Sequence, residues 1–207
     1  MSVYIPLKTG YVHIPRTAGT SISSWLMRNI SGSLKPKNHE SHESASLLLK
    51  EYPEINYFFT IVRNPWSRAV SMYRFHTTKV PKEINLDFFS NDVKAFDEFK
   101  QKVKSISFEE YVTEYINFPS NAWYNITTTQ TKWLDLPMDL IVKYENLNIE
   151  FEKIQKLFRN NSPLLHLNKH NHPNENHYTS FYNEYTKKRI AEIYAEDIET
   201  FKYKFEE

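Results

Sequence analysis

The chain of 207 residues contains no cysteine. That excludes a disulfide framework, thiolate chemistry and any sulfur-ligated metal site. It also lacks an apolar run approaching a membrane span, and Met1 to Lys8 show no signal-peptide pattern, so a soluble cytoplasmic protein is the expectation. Net charge is nearly absent: 26 basic and 25 acidic residues give a formal +1. No global field therefore draws in nucleic acid, and a polyanionic substrate must meet a local basic patch. Repeats, low-complexity tracts and interdomain linkers are missing as well. With 40% hydrophobic residues, one domain over 1–207 is expected, long enough to enclose a core; nothing in the pattern bears on oligomeric state.

Glycine is scarce, with three in the chain, and one of them is Gly19, inside Tyr11-Val-His-Ile-Pro-Arg-Thr-Ala-Gly-Thr-Ser-Ile22. This stretch reads as a buried strand over Tyr11–Ile14, stopped by Pro15, then a small-residue turn and a helix over Thr20 to Asn29 with Ile22, Trp25, Leu26 and Ile30 on one side. Gly19 marks a place where the backbone comes close to something. Arg16 brings a fixed positive charge, and Thr17 to Ser21 bring hydroxyls and unpaired N–H groups at the positive end of a helix, which is an anion cradle suited to phosphate or sulfate.

Further on, Ser31 to Ser44 reads as a polar loop carrying His39 and His42, and Ser44 to Tyr52 as a helix ended by Pro53. Tyr57-Phe-Phe-Thr-Ile-Val62 is a near-continuous run of strand formers, the pattern of a parallel strand covered on both faces. Asn64 is a natural N-cap and Pro65 a natural first helical residue, so a helix runs to about Thr78, with Ala69, Met72, Tyr73 and His76 inward and Ser67, Ser71, Arg74 and Thr78 on the other side. A mostly helical insertion fills about 79–120 and includes a capping box, Ser107 with Glu110. A third strand follows at Asp139–Glu145, a helix at Asn148 to Arg159, and one long amphipathic helix over about Asn183 to Phe205. Strand, turn and helix repeated in this way predict a three-layer α/β domain with its ligand at the strand C-termini, where both Arg16 and Arg63 fall.

His13-Ile-Pro-Arg-Thr-Ala-Gly-Thr-Ser21 resembles the 5′-phosphosulfate loop of the sulfotransferases, especially the carbohydrate sulfotransferases of the family 2 type. Ile61-Val-Arg-Asn-Pro-Trp-Ser-Arg-Ala-Val-Ser-Met-Tyr73 is similar to their 3′-phosphate motif, with Arg63 and Ser71 in the two binding places. Weaker echoes run through His42-Glu-Ser-Ala, Val142-Lys-Tyr-Glu-Asn-Leu147 and Tyr185 to Tyr203. The resemblance implies a P-loop-like three-layer fold with a central, mainly parallel sheet flanked by helices. It also implies transfer of a sulfonate from 3′-phosphoadenosine 5′-phosphosulfate to a hydroxyl acceptor, expected to be a carbohydrate. The donor would lie on Arg16, Thr17, Ala18, Gly19, Thr20, Ser21, Arg63 and Ser71. No metal is expected, because positioning and electrostatics suffice for a monoanionic sulfonate.

One departure stands in the loop. Where these enzymes usually carry Lys, this chain has Arg16, which stays protonated at any working pH and can only clamp and polarise. The acceptor hydroxyl needs a base, for which His42 is the first candidate and His39 the second. His166, His170, His172 and His177 lack a regular ligand spacing, and a loop over the nucleotide is the preferred reading there. Arg68 is expected to brace its turn by an ion pair, and Trp66, Trp123 and Trp133 to pack rather than stack on a sugar. Glu145 could orient Arg16 or act as base, with capping or ion pairing as the plainer role. Lys187-Lys188-Arg189 reads as a solvated helix face. Two other functions fit parts of the pattern: an inactive nucleotide- or glycan-binding module of the same fold, and a P-loop nucleotide kinase, against which stands the absence of a Lys after Gly19.

Overall fold

Strands that end in arginine-bearing turns organise the molecule. A computed structural model describes residues 3–34, 43–78, 101, 104–115, 128–165 and 177–206. The chain divides into two compact units, one formed by residues 1–63 and 130–175 and the other by 64–129 and 176–207.

The first unit holds a sheet of four strands in the order β1-β2-β3-β4: β1 (Val3–Ile5), β2 (Thr9–Val12), β3 (Tyr57–Val62) and β4 (Leu140–Lys143). β1 is antiparallel to β2, while β2, β3 and β4 run parallel, in registers that pair Val12 with Thr60 and Val62 with Lys143. Adjacent residues of β3 point to opposite faces, as the two-residue period of a strand requires. On one face Tyr11, Phe59, Ile61 and Val142 pack on Ile22, Trp25 and Leu26 of α1 (Gly19–Asn29) and on Phe151, Ile154 and Phe158 of α5 (Leu147–Phe158). On the other, Val12 and Phe58 pack on Ala45 and Leu48 of α2 (Ala45–Glu51), with Tyr52 and Ile55. Each such fully buried apolar side chain stabilises the fold by about 1.5–3 kcal/mol. The unit is an α/β structure with a mainly parallel sheet between helices, as expected. The strand read at Tyr11–Ile14 is shifted: the ladder covers Thr9–Val12, and His13 and Ile14 are buried beyond it, ahead of Pro15.

In the second unit α3 (Pro65–Thr78) starts where expected. Asn64 Oδ1 accepts from the N–H groups of Trp66 (3.1 Å) and Ser67 (3.4 Å), and Asn64 Nδ2 donates to the Lys204 carbonyl (2.7 Å). The simple inward and outward stripe does not hold in the first turns. Ser67 and Arg68 are buried along with Ala69, Val70 and Met72, because the end of the chain packs over the start of the helix. Trp66 Nε1 donates to the Lys187 carbonyl (3.0 Å), and the Trp66 and Phe205 rings meet edge to face. Behind them Tyr73, Phe108, Phe181 and Tyr182 form an aromatic set. Ser107 caps α4 (Phe108–Glu110), accepting from the Glu110 N–H (3.1 Å), and the chain continues as a π-helical turn over Tyr111–Tyr115. Most of the insertion expected at about 79–120 lies outside the described residues.

The single long C-terminal helix is in fact two, α6 (Glu184–Ile193) and α7 (Ala195–Phe201), separated by Tyr194 at φ −107°, ψ 26°. No glycine or proline signals the break. It occurs at a residue whose side chain is fully buried, and α7 stops at Lys202 in the left-handed region. Among the described residues no helix is long and apolar enough to cross a membrane.

Candidate functional site

At the end of β2, Pro15 ends the ladder and the backbone makes a strained turn. Arg16 (φ 69°) and Ala18 (φ 66°) both adopt the left-handed region, which costs a residue other than glycine about 1–2 kcal/mol. Ala18 is the N-cap of α1 and supplies no side-chain acceptor, and the first turn holds no acidic residue. The Ser21 and Ile22 N–H groups bond the Ala18 carbonyl at 2.9 and 3.2 Å, which leaves those of Gly19 and Thr20 outside the helical ladder. A helix start with uncapped N–H groups, the positive end of its dipole and a nearby arginine is a place for an anion.

Two side-chain positions of the turn are set by its own packing. The Thr17 hydroxyl is fully buried and donates to the Ile14 carbonyl (2.9 Å), so Thr17 braces the turn rather than offering a hydroxyl outward. Gly19 is required by its own chain: a Cβ there would lie 1.6 Å from His13 Nε2. The close approach expected at this glycine is to the His13 ring, itself buried and stacked on Tyr11 with centroids 6.0 Å apart. Thr20 is exposed and Ser21 buried.

The second turn follows β3. Arg63 is half-buried, and its Nη1 donates to the Arg16 carbonyl at 3.2 Å, so the two arginine-bearing turns meet. Two further residues hold Arg63 and were not foreseen. The carboxamide of the fully buried Gln130 pairs with the Arg63 backbone in both directions, accepting from its N–H and donating to its carbonyl, each at 2.8 Å. The Tyr144 ring lies under the guanidinium, 4.1 Å from ring centroid to Cζ. Ser71 belongs to the second unit, half-buried at the seventh position of α3. Beside α1 a cleft of about 220 Å³ is lined by Ser21, Ser24, Trp25, Arg28, Ser162 and Leu165.

The model of the sulfotransferase family matches residues 8–204, a span that includes both turns. The chain belongs to the sulfotransferase family. Its class of reaction is therefore sulfonate transfer. No curated relative matches the chain at a significant level.

Within this sulfotransferase the remaining sequence-derived candidates sort by position. His39 and His42 lie outside the described residues, as do His166, His170 and His172, and Trp123. His177 is exposed, its Nδ1 2.9 Å from Thr179 Oγ1. Arg68 is 1% exposed, donates to the Thr128 carbonyl (3.1 Å) and faces the Tyr194 ring at 5.7 Å, which is a bracing role. Trp66 and Trp133 pack against apolar neighbours. Glu145 is exposed in the turn after β4. Lys187 and Arg189 reach Glu184 (3.9 Å) and Glu192 (3.6 Å) on their own helix, so that basic run is partly neutralised.

Proposed function

We propose that this sulfotransferase moves a sulfonate from 3′-phosphoadenosine 5′-phosphosulfate to a hydroxyl on a carbohydrate acceptor, without a metal. The observation that carries the reading is the meeting of two cationic turns on adjacent parallel strands, Arg63 Nη1 against the Arg16 carbonyl at 3.2 Å. A nucleotide with an anionic group on each side of its ribose calls for two such cradles close together, each offering charge-assisted contacts.

The donor supplies an already activated sulfonate; what the protein adds is position and charge. The Arg63 guanidinium suits the 3′-phosphate, and the motif assigns Ser71 the same group. The 5′ side falls to Arg16 and to the N–H groups of Gly19 and Thr20, with Ala18, Thr17 and Ser21 shaping the turn. Arg16 cannot lose its proton here, so leaving-group assistance is electrostatic. The cleft beside α1 shares Ser21 with this turn, and Trp25 and Leu165 give it an apolar wall for the nucleoside. His42 would take the acceptor proton, with His39 as the alternative.

Calorimetry tests the reading. 3′-Phosphoadenosine 5′-phosphate should bind about 100-fold more tightly than adenosine 5′-phosphate or ATP, because only a 3′-phosphate adds a charge-assisted contact to the half-buried Arg63 guanidinium. Equal affinities would overturn the two-cradle arrangement. Transfer of labelled sulfonate to a glycan panel then separates an enzyme from an inactive binding module. A panel that accepts no label while the nucleotide binds would favour the module.

A further inference from the structure

Arg63 sits where the sheet runs out. Continuing the β2 and β3 register beyond Val12 and Thr60 sets Pro15, which has no N–H, beside Arg63. Continuing that of β3 and β4 beyond Val62 and Lys143 sets Tyr144 there, already turned into a 3₁₀ turn over Tyr144–Asn146. Neither neighbouring strand extends the ladder to this residue. A buried backbone pair without partners would be expensive, and a residue at a frayed strand end makes a poor anchor for a ligand.

We infer that Gln130 and Tyr144 are positioning residues that set the Arg63 guanidinium for the 3′-phosphate of the donor. The inference rests on the nucleotide reading given above. Gln130 replaces the missing strand: its carboxamide presents an acceptor and a donor in the manner of a peptide group, both at 2.8 Å, from a side chain with 0% exposure. Gln130 opens the 3₁₀ turn Gln130–Trp133, an element of the same unit, so its backbone is itself fixed. Tyr144 supplies the second restraint. Its ring, 4.1 Å from Cζ, holds the plane of the guanidinium, and this contact gains strength where water is excluded. The Arg16 carbonyl, 3.2 Å from Nη1, fixes the tip. With five N–H donors in a rigid fork, a guanidinium can hold a carbonyl and a phosphate at once. Backbone, plane and tip are thus each constrained by a different residue, and the long arginine side chain loses little further freedom when the ligand arrives.

The test compares full-length Gln130→Leu, Tyr144→Leu and Tyr144→Phe with the parent chain in titrations with 3′-phosphoadenosine 5′-phosphate and with adenosine 5′-phosphate. The readout is the ratio of the two affinities. A positioning role predicts that Gln130→Leu and Tyr144→Leu lower this ratio roughly tenfold while the affinity for adenosine 5′-phosphate stays put, and that Tyr144→Phe, which keeps the ring, stays within about twofold of the parent. Amide hydrogen exchange gives a ligand-independent check, with the Arg63 N–H protected in the parent and in Tyr144→Phe but exchanging faster in Gln130→Leu. If Gln130→Leu does not fold, Tyr144→Leu, at a half-buried position, carries the ratio by itself. Variants that discriminate as well as the parent, or that weaken both ligands in parallel, overturn the positioning role. A parent chain that does not discriminate overturns the nucleotide reading itself.

Discussion

Arg63 and Arg68 stand five residues apart in one motif, yet they sit in opposite surroundings. Arg63, in the first unit, is half-buried at a strand terminus, its backbone paired by Gln130 and its guanidinium laid on Tyr144. Arg68, in the second unit, is 1% exposed, donates to the Thr128 carbonyl and faces the ring of Tyr194, beside which Asp197 is also buried. A guanidinium held at the edge of water can exchange solvent for a phosphate; one sealed inside can only hold its neighbours together. Burial sets the surroundings of these two arginines apart.

The sharpest way to break the comparison is to remove the sealed charge. Arg68→Ala should cost about 3–5 kcal/mol in denaturant unfolding, since it strips one member from a buried polar cluster. Arg63→Ala should instead cost under about 1 kcal/mol of stability while lowering the affinity for 3′-phosphoadenosine 5′-phosphate about 100-fold by calorimetry. If the two variants gave the same profile, the contrast would be wrong.

Next in size is the first turn. Gly19→Ala forces a methyl group into the His13 ring and should destabilise by about 1–3 kcal/mol in thermal melts, with His13→Ala in the same chain restoring part of the loss. Additive losses would mean that the two residues are not in conflict.

The smallest effect at neutral pH belongs to Tyr194→Phe. Burial pushes the Tyr194 hydroxyl up to about 12; Arg68 opposes that rise and Asp197 adds to it. A pKa raised in the folded state gives stability that is complete below the unfolded value of about 10 and is lost as pH climbs from there through the folded value. Unfolding followed from pH 9 to pH 12 should therefore show a shallower alkaline loss in Tyr194→Phe than in the parent chain.

Local chemistry made much of this legible in advance. The apolar run Tyr57–Val62 and the pair Asn64 and Pro65 fix β3 and the start of α3, because strand propensity, capping and the fixed φ of proline all act within a few residues. Arg16, the uncapped start of α1 and Arg63 were readable for the same reason. Gln130 was not. It acts on a residue 67 positions away, through a carboxamide that imitates a peptide group, and no periodicity reports such a contact. Thr17 looked like an outward hydroxyl because the direction of its side chain depends on the strained turn at Arg16 and Ala18. The interruption at Tyr194 was hidden for a related reason: the helical pattern runs unbroken through a residue whose backbone angles respond to packing.

The claim that two turns make one donor site is tested most directly by a crystal structure of the chain with 3′-phosphoadenosine 5′-phosphate. The account predicts the 5′-phosphate on the N–H groups of Gly19 and Thr20 and the 3′-phosphate on the Arg63 guanidinium, with Tyr144 still beneath it. A nucleotide bound elsewhere, or bound with its 3′-phosphate away from Arg63, would contradict it.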